Sequence, residues 1–201
     1  GMTWPLTFPN LLVTSSYDGS CAVWNVNTEE RVYQINNHAS PVTCIDAAPG
    51  SPLRVAFAVG GITYEWTPSQ GKRSVMSKGS GKVTVVQWNP TMRRGDMIAV
   101  GRDDGRVDIV TSGTKGWRTE ALSQAKGRSS EVGAVSDVRW DPLSHVYLLV
   151  LYSCGTVAVW DTEGVGGSGG SSSSRSRSSS SSGRSSLISM FNRCRVVGTS
   201  G

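Results

Sequence analysis

The glycine-rich stretch after residue 163 contains two short strings that also occur in enzymes. Gly164, Gly166 and Gly169 have the spacing of a dinucleotide-binding loop, and Ser168 lies between glycines like the nucleophilic serine of a strand-to-helix turn. A pyrophosphate needs a helix N-terminus directly after such a loop, but the serine run that follows predicts no helix. The string around Ser168 is low-complexity sequence without a nearby histidine. We therefore expect no cofactor and no catalytic serine.

The histidines and cysteines lack the close spacing of metal ligands. There is no C-x-x-C pair, so a zinc site is not expected. The residues concerned are scattered along the chain: Cys21, His38, Cys44, His145, Cys154 and Cys194. We interpret the cysteines as reduced, mostly buried thiols of an intracellular protein, either cytoplasmic or nuclear. Neither histidine has a recognisable catalytic partner, and His145 is expected in an exposed turn, so the sequence does not predict an enzyme.

One charged cluster could instead contact a partner protein. Asp103 and Asp104 form a carboxylate pair between two arginines in a predicted hairpin turn. The plain interpretation is a solvated turn; the alternative is a polar hot spot for protein binding. Trp117 either packs within the fold or anchors an interface. The candidate partner-binding residues are Arg102, Asp103, Arg106, Trp117 and Arg118.

The elements that would position these residues follow from a repeat. Four glycines recur at intervals of 42, 44 and 50 residues: Gly19, Gly61, Gly105 and Gly155. Five residues after each glycine lies a large apolar residue: Trp24, Trp66, Val110 and Trp160. Each glycine opens a short alternating run, which is typical of a strand.

A second register supports the first. Three valines, Val42, Val83 and Val135, each have an apolar residue three positions later and a proline seven positions later. Trp88 and Trp140 lie five positions after the last two valines. The residue between the two apolar positions is polar: Asp46, Gln87 or Arg139. Apolar and polar side chains therefore alternate, which predicts a strand with one buried face.

The remaining strands are predicted from apolar and β-branched runs. One set precedes the turn signals Asp18-Gly19, Gly60-Gly61, Asp104-Gly105 and Cys154-Gly155, and covers residues 11–16, 53–59, 97–100 and 147–152. A further strand is predicted at residues 30–35, 73–76 and 117–122. The sequence thus predicts an all-β fold with four short strands per unit and no long helix.

Units of this length with Trp-Asp near the end of the third strand resemble the WD repeats of β-propellers. Asn37-His38 replaces the usual Gly-His, and the turn aspartate is present only at Asp18 and Asp104. The hydrogen-bonded tetrad of the family is complete in no unit. The resemblance implies a non-catalytic scaffold, with a structural role for His38. The repeat positions themselves predict that one group of tryptophans lies in the core: Trp4, Trp24, Trp66, Trp88, Trp140 and Trp160.

The predicted domain is a partial WD40 β-propeller of about three and a half to four blades. It spans residues 1–164, with units around 1–36, 37–77, 78–122 and 123–164. Residues 187–201 contain a possible last strand. Because propellers usually close with more blades, we expect a fragment of a larger propeller whose end faces associate with the missing blades.

Residues 165–186 form a Ser/Arg-rich insert that cannot bury a core and is expected to be disordered. Residues 1–164 carry 15 basic and 15 acidic residues, and the five arginines after them account for the net charge of +5. The domain itself is therefore not basic, and nucleic acid is not an expected partner. The candidate phosphorylation segment contains Ser174, Ser176 and Ser178.

Two functions remain open at this point. The first is a scaffold that binds other proteins through its faces and loops. The second is an RNA-associated or phosphorylation-regulated adaptor that acts through the insert. The longest apolar run, residues 146–152, is too short to cross a membrane, so no membrane association is expected.

Overall fold

A computed structural model describes residues 1–36, 40–91, 96–122, 133–163, 165 and 186–191. These residues form four antiparallel sheets of four strands, each in chain order, which we number as blades 1 to 4. Blade 1 comprises β1 (Met2–Thr3), β2 (Leu11–Ser15), β3 (Ser20–Asn25) and β4 (Glu30–Asn36). Blade 2 comprises β5 (Val42–Ala47), β6 (Val55–Val59), β7 (Ile62–Thr67) and β8 (Lys72–Lys78), with a short 3₁₀ turn at Pro68–Gln70. Blade 3 comprises β9 (Val83–Trp88), β10 (Met97–Arg102), β11 (Val107–Gly113) and β12 (Gly116–Ala121). Blade 4 comprises β13 (Val135–Trp140), β14 (Tyr147–Tyr152), β15 (Val157–Asp161) and β16 (Ser186–Phe191).

The hairpins between the second and third strands explain the glycine repeat. Gly19, Gly105 and Gly155 all have φ near +82°, at 83°, 81° and 82°. This left-handed conformation is strained for residues with a Cβ atom. Gly61 is constrained differently, because a Cβ atom there would lie 2.4 Å from the carbonyl oxygen of Gly79. The glycine pattern therefore records backbone geometry rather than chemistry.

The blades pack side by side, with the first strand of each innermost. Strands β1, β5, β9 and β13 are neighbours in that order. Three apolar clusters fill the spaces between successive blades and include the buried Trp66, Trp88, Trp140 and Trp160. Val110, which replaces a tryptophan in the repeat, is also fully buried. This arrangement confirms the predicted all-β class and has the form of a partial propeller.

The two end blades each have one less covered face. On β14, Tyr147, Leu149 and Leu151 are 40%, 39% and 41% exposed, whereas Leu148 and Val150 between them are fully buried. The equivalent strand of blade 3, β10, is buried on both faces because it has a neighbour on each side. The described residues therefore form a row of blades with the outer face of blade 4 partly open.

The open row explains two departures from the sequence prediction. Trp24 and Trp4 are repeat tryptophans that were expected in the core. Trp24 is only half-buried, and Trp4 is 53% exposed. Trp66 and Trp160 are buried against the blade that precedes theirs. Blade 1 has no preceding blade among the described residues, so its tryptophans lack that cover.

Candidate functional site

The inner strands are tied together by side chains that bond to the next blade. The Thr43 hydroxyl donates to the carbonyl of Val83 at 2.8 Å, and the Thr84 hydroxyl donates to the carbonyl of Val135 at 2.6 Å. The two threonines occupy the second position of β5 and β9. The same type of hydrogen bond therefore joins blade 2 to blade 3 and blade 3 to blade 4.

A second hydrogen bond between blades is made by the polar residue that lies between the two apolar positions of each inner strand. The Trp88 amide donates to Asp46 Oδ2 at 2.7 Å, and the Trp140 amide donates to Gln87 Oε1 at 3.1 Å. On its other side, Asp46 Oδ1 accepts from the Thr3 hydroxyl at 3.0 Å. A carboxylate and an amide thus fill the same acceptor role at equivalent positions. Arg139, at this position in blade 4, cannot accept a hydrogen bond.

The carboxyl ends of the inner strands surround a cavity of about 280 Å³, which we call the end cavity. All four blades contribute to its wall, which is mainly aromatic, aliphatic and prolyl. The lining residues are Trp4, Leu6, Asp46, Ala47, Pro49, Gln87, Trp88, Pro90, Trp140, Pro142 and His145. Asp46 is the only aspartate, glutamate, lysine or arginine among these lining residues. Asp46 and Gln87 also border a second, more polar cleft along the inner strands, which reaches Asp137 and Arg139.

Burial raises the pKa of Asp46, and the amide of Trp88, the hydroxyl of Thr3 and the charge of Arg139 oppose that shift. No basic side chain in the described part of the chain lies within ion-pair distance of this carboxylate. Arg139 instead pairs with Asp137, at 3.0 Å. Among the described residues, the carboxylate of Asp46 is thus a partly desolvated charge held by two neutral donors, the Trp88 amide and the Thr3 hydroxyl.

We expect Asp46→Asn to raise the stability of the protein at neutral pH by about 1 kcal/mol, because it removes a desolvated charge and keeps an acceptor for the Trp88 amide. The raised pKa means that the folded state binds a proton more tightly than the unfolded state. Stability from this group is therefore present at low pH and is lost as pH rises through the folded pKa. Urea unfolding between pH 4 and pH 8 should show a flatter profile for Asp46→Asn than for wild type. The exposed change Glu30→Gln should leave the profile unaltered, and equal profiles for Asp46→Asn and wild type would contradict the assignment.

Arg102 does not lie in a solvated turn, as the sequence suggested, but between blades 2 and 3. Arg102 is only 1% exposed, and its Nε donates to Asp108 Oδ2 at 2.8 Å. One terminal nitrogen donates to the carbonyls of Gly61 and Gly81, at 3.1 and 3.0 Å. An expected contact residue on the surface is therefore a buried inter-blade clamp, which removes Arg102 from the candidate partner surface.

The other candidate contact residues lie at two separate places. Asp103 Oδ1 accepts from the Lys82 amide at 2.8 Å, so this carboxylate fixes the linker between blades 2 and 3. The Arg106 side chain is 68% exposed beside Asp104. Arg118 lies on β12, opposite Thr111 in the strand register. Thr111 is at the other end of β11, roughly 17 Å along the strand from Arg106. The structure does not bring the five predicted residues into one patch.

Trp117 packs within the fold. Its ring lies edge-on to that of Trp88, with centroids 5.9 Å apart, and it borders the cluster between blades 2 and 3. A neighbouring contact was not predicted from the sequence: Arg54 forms two hydrogen bonds with Asp96 of blade 3, at 2.5 and 2.6 Å, and lies over the Trp88 ring. Residues 54 and 96 lie far apart in the chain, so only the blade packing reveals their pairing.

The turn aspartates hold their hairpins. Asp18 Oδ1 accepts from the amide and the hydroxyl of Ser20, at 2.8 and 2.6 Å, and these bonds lower the pKa of Asp18. Asp104 Oδ1 similarly accepts from the amide of Arg106 at 3.1 Å. In both turns the side chain bonds the residue two positions later, which is a local structural role.

The histidines, cysteines and serines singled out in the sequence agree with their predicted environments only in part. His145 lies in a turn but is half-buried rather than exposed, and the residue borders the end cavity. Cys21 is buried and Cys44 half-buried, and burial raises the pKa of each thiol to about 12. Cys154 is exposed, which the expectation of mostly buried thiols allows. His38, Cys194 and the serines at 174, 176 and 178 lie outside the described residues.

Within the described ranges, no group of three histidine, cysteine, aspartate or glutamate side chains could hold a metal ion. In the same residues no helix is long and apolar enough to cross a membrane.

Comparison with known proteins points to the class that the blades define. No family model matches the sequence. Over 93 residues, 46% of this chain, the sequence is 26% identical to protein groucho of Drosophila melanogaster, covering 12% of that protein. Over 164 residues, 70% of this chain, it is 25% identical to protein transport protein SEC13 of Coccidioides immitis, covering 54% of that protein. Both relatives are WD40-repeat proteins, and these similarities support a WD40 family for the chain.

Proposed function

We propose that this protein is a non-catalytic WD-repeat scaffold that binds other proteins through the loops and ends of its blades. The observation that carries the proposal is the inter-blade network of β5, β9 and β13, which fixes the blades as one platform. A rigid platform with varied loops suits binding better than chemistry, and the similarity to two WD40-repeat proteins favours the same interpretation.

We further infer a closer kinship with the N-terminal repeats of WD repeat-containing protein 17. Residues 11–27 and 135–152 carry this resemblance, together with the runs at 61–66 and 105–110. In this proposal the chain is part of a larger intracellular propeller, and further blades cover the open face of blade 4. The exposed Tyr147, Leu149 and Leu151 support it, because they occupy positions equivalent to those that blades 2 and 3 bury against a neighbour.

Arg106 and Arg118, which are exposed, are the residues that we propose to contact a partner protein. Capture of partners from a cell extract with the full chain, quantified by mass spectrometry, tests them. We expect the double change Arg106→Ala and Arg118→Ala to lower recovery of specific partners several-fold, because arginine is prominent in interface hot spots. The exposed change Lys72→Ala is the matched control. Equal recovery with all three proteins would exclude these arginines, and no recovery above background with wild type would contradict the scaffold role.

A further inference from the structure

We propose that the end cavity receives a single cationic side chain, lysine or arginine, from a partner polypeptide. The inference rests on the proposed scaffold function and gives it a defined site and ligand chemistry. The cavity opens where the inner strands end, away from the hairpin turns that carry Asp18 and Asp104.

The size of the end cavity favours a side chain over a free small molecule. Its volume of about 280 Å³ lies at the lower limit of pockets that hold drug-sized ligands. Its rim is apolar and accessible, with Leu6 85% exposed and Trp4 about half exposed. An aliphatic stem could cross this rim while the main chain of the partner stays outside the cavity.

The charge of the end cavity favours a cation. Among the described lining residues, Asp46 is the only aspartate, and none is a glutamate, lysine or arginine. Its carboxylate has no ion-pair partner in the part of the chain described. The basic group that acts on it, Arg139, is engaged by Asp137. His145 is the other residue of the described wall whose side chain can carry a charge. An incoming ammonium or guanidinium would compensate a charge that no basic side chain among the described residues pairs with.

The aromatic wall adds a second attraction for the same ligand. Trp4, Trp88 and Trp140 all line the end cavity. The indole Nε1 of Trp4 donates to the Pro9 carbonyl at 2.9 Å, which fixes the ring while leaving about half of the residue exposed. Indole faces attract cations, and the attraction is stronger where the cation is desolvated. A carboxylate and indole rings in one wall therefore favour a cation over a neutral side chain of equal length.

Binding of a capped Gly-Gly-Lys-Gly-Gly peptide to the full chain tests the proposal, with the Nε-acetyl-lysine peptide as the neutral probe. Titrations at pH 8 would follow the indole N–H signals by NMR. We expect the lysine peptide to shift the Trp4 signal and to bind about tenfold more tightly than the acetylated peptide, a difference of about 1.4 kcal/mol.

Two substitutions locate the binding. Asp46→Asn preserves an acceptor for the inter-blade bond, and Trp4→Ala alters a half-exposed residue, so both variants should remain folded. Each should weaken lysine-peptide binding about tenfold, while Tyr17→Ala, at an exposed turn far from the end cavity, should not. Equal affinity for the two peptides, an unchanged affinity in Asp46→Asn, or no shift up to about 10 mM peptide would overturn the proposal. These outcomes are independent of partner capture, so the scaffold function can stand when this site fails.

Discussion

Replacing Arg102 by methionine is expected to destabilise the protein by about 3–5 kcal/mol, because removing one partner of a buried ion pair leaves the other uncompensated. Asp108 would lose its guanidinium partner, and the carbonyls of Gly61 and Gly81 would lose a shared donor. Arg102→Lys should also be costly, since an ammonium cannot reproduce the directions of the guanidinium N–H groups. Urea unfolding followed by tryptophan fluorescence measures both effects.

The neighbouring Arg106 supplies the control. It lies four residues away on the same hairpin, but its side chain is 68% exposed. Arg106→Met should therefore change the unfolding free energy by less than about 0.5 kcal/mol. The double variant Arg102→Met with Asp108→Asn should be more stable than the sum of the single effects predicts, because the orphaned charge is removed. An Arg102→Met protein as stable as Arg106→Met would show that the clamp is absent.

Truncating Trp160 to alanine is expected to cost about 3–5 kcal/mol, the usual range for a fully buried aromatic side chain. The residue is 1% exposed in the cluster between blades 3 and 4. Trp24 occupies the equivalent repeat position in blade 1 but is half-buried, with its indole Nε1 bonded to the Thr14 hydroxyl at 3.0 Å. Trp24→Ala should cost roughly 1–2 kcal/mol, because part of its surface already contacts water in the folded state.

The contrast between the two tryptophans tests the open row of blades. Thermal unfolding of both variants, with urea titrations to confirm two-state behaviour, gives the comparison directly. Equal losses would mean that blade 1 is covered in solution as fully as blade 4 is at Trp160. That result would contradict the arrangement of end blades described above.

Much of the fold follows from local signals in the sequence. The run that forms β14 was predicted at its observed bounds, Tyr147–Tyr152, because its residues are continuously apolar or aromatic and end at a turn signal. The Asp-Gly turns were predictable because they need a left-handed backbone, and Gly105 adopts it. β5 was placed by the polar residue between two apolar ones, Asp46 between Ile45 and Ala47.

The properties that depend on neighbouring blades were not predictable in this way. Arg102 was expected in a solvated turn because two aspartates follow it. In the structure it ends the buried strand β10 and bonds to Gly81 in the linker between blades 2 and 3. The exposure of Trp4 depends on which blades surround it, and a repeat position carries no such information. The end cavity draws residues from all four blades, so no local window of sequence contains it.

The hydrogen exchange of the Trp140 backbone amide tests most directly whether neighbouring blades are joined through their inner strands. In wild type this amide should be protected, because it donates to Gln87 of the preceding blade at 3.1 Å. Gln87→Ala should accelerate its exchange by about tenfold or more, while the amide of Val150, in a strand paired on both sides, stays protected. A Trp140 amide that exchanges freely in wild type, or at the same rate in Gln87→Ala, would contradict the side-by-side packing of the blades.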